Sequence, residues 1–554
     1  MKNRKWISFL TAAAVLLGSL PVYAEAEETV NVDSLYKNRD VDDAWSAEEA
    51  EPIDLNAARS GSVITISEEG DYVLSGTLEG RILIDAPEDA KVRLILNGVS
   101  IASTEGPAIY EKQADKLILT LAEGTENTMT DGPAFTDGDD TIGAALYAED
   151  DLSVNGSGSL TVNGTQKHGI QSKADLIIAG GEITVQAVLD GIRGRNSVLV
   201  LDGSILITCG GDGIASTRTD SDGKGWTVLA GGTLTVKTGE GAGTARASAN
   251  SMGGFGGRGG RNEWGTVSGT ADSGVSQKAV KAATDLTVLG GTYSFDCADD
   301  GLHGINVTVS GGTFEIRSGD DAVHADKELN VNAGTMDITQ CYEGLEGENV
   351  LVNGGEIRIQ ASDDGINASG GNDGSGFGGW DRGREFSASG SGTLTIAGGM
   401  VSVNAGGDGL DSNGSILISG GVTGVWAATT TGEGAIDFNG TGTISGGTLI
   451  VASTGGVMRD TAGLSGQTIM AFSASGNAGE TVTLTDQNGS VLGTFTPGNG
   501  FDTLMVSSDR LQEGTSCTVL SAGRTLYSGE MTASTAAGYG NGFERGRNRN
   551  GRGR

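Results

Sequence analysis

Basic residues are scarce in this sequence, and their scarcity limits the partners that it can have. The 554 residues include 36 Lys and Arg against 71 Asp and Glu, which gives a net charge of −35. We expect no nucleic-acid partner, because proteins of that class carry a basic patch or stripe. Only three His are present, so oxygen ligands and Ca²⁺ are favoured over Zn²⁺.

Long apolar runs are also absent after the first 24 residues, so the sequence predicts no transmembrane segment. The N-terminus itself has the pattern of a targeting signal. Three basic residues precede the mostly apolar run from Trp6 to Leu20, and Val22-Tyr23-Ala24 supplies a small-residue cleavage site. We therefore expect residues 1–24 to be a signal peptide and the protein to be secreted, either free or in loose association with the cell wall.

Proline is rare, at 6 residues, whereas glycine reaches 95 and recurs at regular positions. Pairs such as Gly311-Gly312 begin segments in which apolar and polar residues alternate, and each segment ends at an acidic corner. The corner acids follow one another at steps of 21 or 22 residues, at Asp300, Asp321, Glu343 and Asp364. Strand-type alternation with this period predicts an all-β fold, a parallel β-helix in which each coil is stable only through its neighbours.

The four cysteines are Cys209, Cys297, Cys341 and Cys517. Cys297 and Cys341 occupy similar positions in coils that are two steps apart, so a stacking distance of ~4.8 Å per coil separates them by ~10 Å. This separation is too great for a disulfide bridge. We expect buried free thiols in the strand walls.

The pattern divides the chain into segments of different character. Residues 25–55 are acidic and weakly patterned, so we expect a mobile leader. The other segments are a β-helix over residues 56–460, Gly-rich insertions at 240–277 and 370–392, a C-terminal β cap or module at 461–535, and a basic Gly/Arg-rich tail at 536–554. The second insertion contains Trp380, so it is either a flexible surface loop or an aromatic arm that contacts a ligand over the acidic wall.

Like positions of successive coils stack in a β-helix, so the corner acids should form a column. Two carboxylates ~5 Å apart repel by roughly 1 kcal/mol in water and by about 3–4 kcal/mol at an effective dielectric constant of 20. A Ca²⁺ ion between coils would remove this repulsion, because it binds about six to eight oxygens. The alternative is a solvated edge, in which the Asp side chains accept hydrogen bonds from corner amides.

Further polar side chains lie close to the predicted column. Three residues after the corner stand His303, His324, Asn367 and Asp411, and Asp408 continues the corner column itself. These residues are candidate ligand contacts. For the two His, a hydrogen bond at the corner is the alternative role.

Four corner motifs resemble the secreted carbohydrate-binding β-helix domain family of clostridial-type bacteria. They are Lys278-Ala279-Val280-Lys281, Asp299-Asp300-Gly301-Leu302-His303, Tyr342-Glu343-Gly344-Leu345-Glu346 and Asp363-Asp364-Gly365-Ile366-Asn367-Ala368. The resemblance covers residues 60–455. It implies a right-handed parallel β-helix with several Ca²⁺ ions that binds cellulose- and pectin-like polysaccharides. The family is similar in shape to the ninth family of polysaccharide lyases, yet it is regarded as binding and not cleaving.

The same resemblance implies a set of calcium ligands. They are Asp299, Asp300, Asp320, Asp321, Glu343, Glu346, Asp363 and Asp364. The chain departs from the family pattern at Ala322-Val323, where Gly-Ile is usual. This departure concerns the backbone shape of the corner and leaves its acids in place.

We therefore expect a monomeric, non-catalytic protein that binds polysaccharide with Ca²⁺ as its cofactor. One alternative is a calcium-dependent pectate-type lyase, in which Lys278 or Lys281 takes the proton beside the uronate carboxylate. The other reading of these lysines is a salt bridge that caps the acid column. A further alternative is a structural surface protein or adhesin, in which the repeats form only a stalk.

Overall fold

The computed structural model describes residues 30–135, 142–221, 223–243, 275–369, 392–428, 434–454 and 463–533. The predicted signal peptide, most of both insertions, Trp380 and the basic tail lie outside these residues. The chain up to Lys37 forms one unit, which contains a short 3-10 helix at Val32–Ser34. A second unit begins at Asn38 and contains α1 (Asn38–Val41), a 3-10 helix at Leu55–Ala57 and the strands given below. None of the helices in the described ranges has the length and apolar character that crossing a membrane requires.

The strands before the first Gly-rich insertion are β1 (Glu51–Asp54), β2 (Ser62–Ile66), β3 (Gly70–Asp85), β4 (Lys91–Ala102), β5 (Ile109–Gln113), β6 (Lys116–Leu121), β7 (Glu126–Thr130), β8 (Ala144–Ala148), β9 (Asp151–Gly156), β10 (Ser159–Gly164), β11 (His168–Ser172), β12 (Asp175–Ile178), β13 (Glu182–Ala187), β14 (Ile192–Gly194), β15 (Ser197–Val200), β16 (Ser204–Cys209), β17 (Ile214–Ser216), β18 (Trp226–Leu229) and β19 (Thr233–Thr238). Between the two insertions are β20 (Val280–Lys281), β21 (Asp285–Val288), β22 (Thr292–Cys297), β23 (Leu302–Val309), β24 (Thr313–Ser318), β25 (Val323–Val331), β26 (Thr335–Cys341), β27 (Leu345–Val352), β28 (Glu356–Ala361) and β29 (Ile366–Ala368). After the second insertion are β30 (Thr393–Ile396), β31 (Met400–Ala405), β32 (Leu410–Ser412), β33 (Ser415–Ala428), β34 (Ile436–Phe438), β35 (Gly442–Thr454), β36 (Leu464–Gly466), β37 (Ile469–Gly476), β38 (Val482–Asp486), β39 (Val491–Phe495), β40 (Phe501–Ser508), β41 (Ser516–Ser521) and β42 (Arg524–Glu530).

Parallel pairing between successive coils generates the fold, in three stacks of strands. The corner stack follows the acidic corners and runs through β14, β17, β20, β23 and β25. The middle stack comes next in each coil and includes β12, β15, β18 and β21. The glycine-pair stack follows the Gly pairs and runs through β22, β24, β26, β28 and β31. The parallel β-helix that the period predicted is therefore confirmed.

Apolar side chains fill the interior because strand residues alternate between inside and outside. In β24, Phe314 and Ile316 are buried, whereas Glu315 and Arg317 are exposed. Ile316 is in register with Ile338 of the next coil, and both belong to one continuous apolar core. Each such side chain contributes about 1.5–3 kcal/mol when it is fully buried. Since one coil cannot cover its own inner face, this burial makes stability depend on stacking.

The second residue of each glycine pair has a backbone conformation that only glycine adopts readily. Gly312 and Gly355 have φ angles of 100° and 94°. A Cβ atom at Gly355 would also lie 3.0 Å from the carbonyl oxygen of Gly334 on the neighbouring coil. The pairs therefore permit both the turn and the close approach of successive coils.

The leader packs against the first coils over residues 38–55. Its Asp40 is buried, forms an ion pair with Lys116 and accepts a 2.6 Å hydrogen bond from the hydroxyl of Ser153. Arg93 donates to two backbone carbonyls of the same segment, and β1 pairs in parallel with β3. The expectation of a mobile leader is therefore wrong for this segment, because polar groups on β4, β6 and β9 hold it in place.

The β-helix ends in antiparallel structure, as the sequence predicted. β40 pairs antiparallel with both β35 and β37, and so covers an edge that would otherwise expose unpaired backbone groups. A separate antiparallel sheet follows, with the strand order β39-β38-β41-β42. We call these four strands the C-terminal module. Its apolar residues share one cluster with Trp426 of β33, which docks the module on the outer face of the glycine-pair stack.

The four cysteines are buried, and none of them forms a disulfide. Cys209, Cys297 and Cys341 occupy inward-facing positions at the ends of glycine-pair strands. Burial raises the pKa of the Cys209 thiol to about 12. The prediction of buried free thiols is confirmed.

Candidate functional site

The acidic corners stack into one column along the β-helix. The backbone N–H of Gly301 donates to the carbonyl oxygen of Asp321 on the next coil over 2.9 Å. The same bond recurs between the following coils and aligns Asp300, Asp321, Glu343, Asp364 and Asp408. We call these five residues the acidic edge.

In three corner carboxylates of this edge, one oxygen accepts a hydrogen bond from the backbone N–H of the next corner. Asp300 Oδ1 accepts the backbone N–H of Asp321 over 3.1 Å, and Asp321 Oδ1 accepts that of Glu343 over 3.3 Å. Asp364 Oδ1 does the same for Asp408 over 2.6 Å. This bond is the amide-capping role that the sequence left open as an alternative. Because it occupies one oxygen of each carboxylate, the second oxygen can have a different partner.

A second column lies three residues after the acidic edge, on the strands of the corner stack. Parallel register aligns its members, which are Lys281, His303, His324, Glu346, Asn367, Asp411 and Asp437. We call these residues the flanking column. Its chemistry changes along the helix, from basic side chains at one end to acidic ones at the other.

Lys278 provides positive charge to the first two acids of the site. Its side chain is 6% exposed, and its Nζ contacts Asp300 Oδ2 and, at 3.2 Å, Asp299 Oδ1. Burial alone would raise the pKa of Asp300, but Lys278 and His303 hold it well below its ordinary value. Burial and the neighbouring Asp300 raise the pKa of Asp299. Lys278 therefore forms a salt bridge, which was one of the two roles expected for it.

His324 connects two acids of neighbouring coils. Its Nδ1 lies 3.0 Å from Asp321 Oδ2 and 2.6 Å from Glu346 Oε2, and its side chain is fully buried. The ring stacks on His303, with centroids 4.9 Å apart. Burial would lower the pKa of His324, but the nearby carboxylates of Asp321, Asp326 and Glu346 raise it far above its ordinary value. A protonated imidazole at this position would offset part of the acid charge.

Oxygen atoms dominate the site beyond His324. Burial, together with Glu346 and Asp364, raises the pKa of Glu343 far above its ordinary value. Asn367 Nδ2 donates to Glu343 Oε2 over 2.9 Å. The other amide atom, Asn367 Oδ1, is buried and has no hydrogen-bond partner within the described residues. Such an acceptor is unfavourable unless a donor or a cation reaches it.

A shorter row runs beside the acidic edge, one residue earlier in each coil. The backbone N–H of Tyr342 donates to the carbonyl oxygen of Asp320 over 2.9 Å. The backbone N–H of Asp363 donates to the carbonyl oxygen of Tyr342 over 3.0 Å. Burial and a hydrogen bond with Asp363 raise the pKa of the Tyr342 hydroxyl. The eight acids that the family resemblance names thus lie on consecutive coils along one edge, with a tyrosine interrupting the second row. Trp380, also predicted as a ligand contact, lies outside the described residues.

Three groups of side chains bring one ligand atom each within 4.8 Å of one another. They are Asp299, Asp300 and Asp320; Asp321, His324 and Glu346; and Asp408, Asp411 and Asp437. Eight of these nine atoms are carboxylate oxygens, which suit Ca²⁺ better than Zn²⁺. Together with the amide oxygen of Asn367, this donor set fits a hard divalent cation.

Sequence reasoning missed two acids of the site. Asp437 is the neighbour of Asp411 in register, but it follows Asp411 by 26 residues, so the usual period does not find it. Asp326 Oδ1 lies 3.6 Å from His324 Nε2. The sequence did contain a signal for Asp326. It follows His324 by two residues, and residues i and i+2 of a strand point to the same side.

A parallel β-helix with an oxygen-rich edge is therefore the class that the fold and the site define. A model of the family described as "Carbohydrate-binding domain-containing protein" matches residues 60–322, 304–379 and 321–494. These matches cover more than half of the chain, so the protein belongs to this family. The resemblance that the corner motifs indicated is confirmed.

Two known proteins are similar to parts of this chain. A carbohydrate-binding domain-containing protein of Acetivibrio thermocellus is 40% identical over 128 residues, which are 22% of this chain and 45% of that protein. The match thus spans less than half of the relative's length. A solved structure, described as the polysaccharide lyase-like protein from C. thermocellum in a gadolinium derivative, is 26% identical. It covers 50% of this chain and 95% of its own, with a TM-score of 0.37.

Proposed function

We propose that the protein is a secreted, non-catalytic polysaccharide-binding protein whose binding depends on Ca²⁺ held along the acidic edge. Membership of the carbohydrate-binding family supports a polysaccharide ligand. The carboxylate groups of the acidic edge and the flanking column support the cation. Cellulose- and pectin-like polymers are the proposed ligands.

The observation that carries the calcium proposal is the buried oxygen of Asn367, which has no hydrogen-bond partner in the ranges that the structure describes. Register places Asn367 between Glu346 and Asp411 in the flanking column. All three side chains offer oxygen, and a Ca²⁺ ion takes about six to eight oxygen ligands. The predicted acids from Glu343 to Asp364, with Asn367, are therefore the first proposed position. The second is the group formed by Asp408, Asp411 and Asp437.

Three of the remaining predicted ligands already face positive charge. Lys278 contacts Asp299 and Asp300, and His324 contacts Asp321 and, in the first position, Glu346 as well. A cation at this end of the site has to compete with these side chains. We therefore propose weaker calcium binding here than at the end of the flanking column that includes Asp411.

A bound cation also solves the problem of recognising an acidic polymer. The net charge of −35 repels a chain of uronate carboxylates. Ca²⁺ would lie between protein carboxylates and polymer carboxylates and bind oxygens of both. In this proposal the partly exposed His303 and Asp411 contact the polymer beside the cation, whereas His324, Asn367 and Asp408, which were also predicted to contact the ligand, are buried and cannot touch it directly.

Retention of the full protein on insoluble pectin and cellulose, with Ca²⁺ or with a chelator, tests the proposal. We expect retention on pectin in Ca²⁺ and its loss in chelator. Asp411→Asn combined with Asp437→Asn should weaken retention, whereas Glu315→Gln, which changes an exposed acid of the glycine-pair stack, should not. Equal retention on pectin in both media contradicts the calcium dependence. Failure to bind either polymer in either medium contradicts polysaccharide binding and favours the stalk.

One observation favours the lyase alternative. Lys281 is half-buried in a groove of about 680 Å³, which His303 and Asp326 also line. Lys278, in contrast, is buried between two acids and is poorly placed to reach a substrate. Incubation with polygalacturonate, followed by ultraviolet absorbance of unsaturated products, tests this activity. Unsaturated product that forms with the wild type and not with Lys281→Ala would show that the protein cleaves the polymer and does not only bind it.

Secretion is proposed from the N-terminal signal and has its own test. N-terminal sequencing of protein recovered from culture medium should begin at Glu25, because cleavage is expected after Ala24. Protein that stays inside the cell with Met1 intact contradicts export.

A further inference from the structure

A cleft lies between the C-terminal module and the outer face of the β-helix, outside the acidic edge and the flanking column. Its volume is about 880 Å³, which is within the range of ligand-binding sites. Strands β26, β28 and β31 of the glycine-pair stack form its floor. The strand β39 and the residues that follow it form its end wall.

Close contacts hold the module against the floor and give the cleft a fixed shape. The ring of Phe495 covers Gly424 so closely that a side chain at Gly424 would clash with it. A Cβ atom at Gly493 would lie 2.9 Å from Thr448 Cγ2. The indole of Trp426 donates a 3.1 Å hydrogen bond to a backbone carbonyl between β39 and β40. A cleft formed in advance loses little conformational entropy when a ligand binds.

The outward face of the glycine-pair stack changes character at the module. On β33 the outward residues include Val422 and Trp426, and the module covers this part of the stack. The corresponding positions on the two preceding coils line the open cleft, and they are Met400, Asn404, Glu356 and Gln360. The floor of the cleft therefore offers polar side chains together with the apolar Met400. The same face of β33 packs against the module instead.

The chemistry of the cleft suits a neutral, hydroxyl-rich ligand. The amide of Gln360 contains donors and an acceptor, which match sugar hydroxyl groups, and Asn404, whose Oδ1 accepts the N–H of Gly498, adds the donors of its NH₂ group. Met400 and Val491 are 54% and 57% exposed, and both line the cleft, so they offer apolar surface to the C–H faces of sugar rings. Arg358 is paired with Glu356. Because Asp337 also lines the cleft, an anionic polymer gains no attraction there.

We propose that this cleft is a second, metal-independent site that binds a neutral, unbranched glycan. This inference rests on the proposed function, since it assigns neutral polysaccharides to one site and acidic ones to the acidic edge. The three coils of the floor span ~10 Å between their outer strands at ~4.8 Å per coil. Beyond them the stack continues with the exposed residues Glu315 and Arg317 of β24, so a linear chain can extend along it.

Calorimetric titration with cellohexaose, a soluble neutral chain of six glucose units, tests the cleft on the full protein. We expect equal affinity in Ca²⁺ and in chelator, because no cation takes part. Met400→Ala combined with Gln360→Ala should weaken binding at least about tenfold, since it removes an apolar contact and an amide that bonds to hydroxyls. Val491→Ala, on the module side, should weaken it in the same direction. Leu206→Ala changes an exposed residue of β16 in the same stack, outside the cleft, and is the matched control.

Retention on pectin in Ca²⁺ shows in the same samples that the variants are folded and keep the acidic edge. A wild-type protein that binds pectin but not cellohexaose overturns the cleft site and leaves the proposed function standing. Equal cellohexaose affinity in the wild type and in the cleft variants overturns it as well. Cellohexaose binding that is lost in chelator contradicts metal independence. A wild-type protein that binds neither pectin nor cellohexaose refutes both proposals.

Discussion

Glu111 is an acid in the interior of the β-helix, and it should make stability depend on pH. It lies on β5, where register sets it beside Ile84 and Ala148 of the core. Its side chain is fully buried, and its Oε2 accepts the N–H of Asp150 over 3.0 Å. Its Oε1 has no hydrogen-bond partner in the described part of the chain. Burial, with a smaller contribution from neighbouring carboxylates, raises the pKa of Glu111 to about 7.

The sign of the effect follows from proton binding. The ordinary pKa of this carboxyl group is 4.5, and its folded value is about 7, so the folded state holds the extra proton between these pH values. The resulting stability is fully present below pH 4.5 and is lost as the pH rises through 7. A difference of about 2.5 pH units, at about 1.4 kcal/mol each, corresponds to roughly 3 kcal/mol.

Glu111→Gln removes the charge and keeps the shape of the side chain. Its amide oxygen can still accept the N–H of Asp150, but its NH₂ group then occupies the unpartnered position, at a cost of about 1–3 kcal/mol. We expect the variant to be less stable than the wild type near pH 4.5. Its free energy of unfolding relative to the wild type should then rise by about 3 kcal/mol towards pH 8.

Urea unfolding at several pH values, followed by circular dichroism in chelator, measures this difference without a contribution from calcium. Glu126→Gln is the control, because Glu126 is an exposed acid on the nearby strand β7. Its difference from the wild type should stay flat. A flat difference for Glu111→Gln as well would refute the reasoning, since it would mean that the buried carboxyl titrates alike in the folded and unfolded states.

The remaining predictions concern the cation and two buried ion pairs. Ca²⁺ at one hundred times its Kd should raise the free energy of unfolding by about 2.7 kcal/mol; a Tm that neither Ca²⁺ nor chelator changes contradicts a cation site. Lys278→Met should cost about 3–5 kcal/mol because it leaves the buried Asp300 without its cation, whereas Lys281→Met, at a half-exposed position, should cost less than about 1 kcal/mol; equal losses in urea unfolding would count against this difference. Asp40→Asn should speed proteolysis of the leader, whereas Asp43→Asn, which changes an exposed acid, should not; equal cleavage rates would show that the buried pair does not anchor it.

Repetition made the fold and the columns predictable from the sequence. The alternation at Phe314 and Ile316 identifies the inner face of a strand, and the same alternation recurs on the following coils. Corner spacing identifies the register of Asp300 and Asp321, because parallel pairing joins like positions. The flanking column follows from the same rule, since every residue at a fixed distance from the corner meets its counterpart on the next coil.

Features that do not repeat could not be found in this way. The sequence left Lys278 with two roles, because its distances to Asp299 and Asp300 depend on side-chain positions. The leader has no periodic pattern, and its anchor joins Asp40 to a lysine that lies 76 positions later in the chain. Asp437 escaped because its coil is longer than the 21- or 22-residue period of the corner motifs. None of the three follows from the 21- or 22-residue spacing of the corner motifs alone.

The two carboxylate oxygens of Asp300 and of Asp321 have different roles, one structural and one available for charge pairing. One oxygen accepts the N–H of the next corner, and this bond needs no cation to form. The second oxygen decides how much repulsion remains, and for Asp300 and Asp321 it meets Lys278 or a histidine. A column of Asp corners is therefore not, by itself, a reason to expect a metal. The balance changes where Asn367 adds an oxygen without a partner among the described residues and further acids follow on the next coils, so the proposed cation would stabilise the fold most at that end.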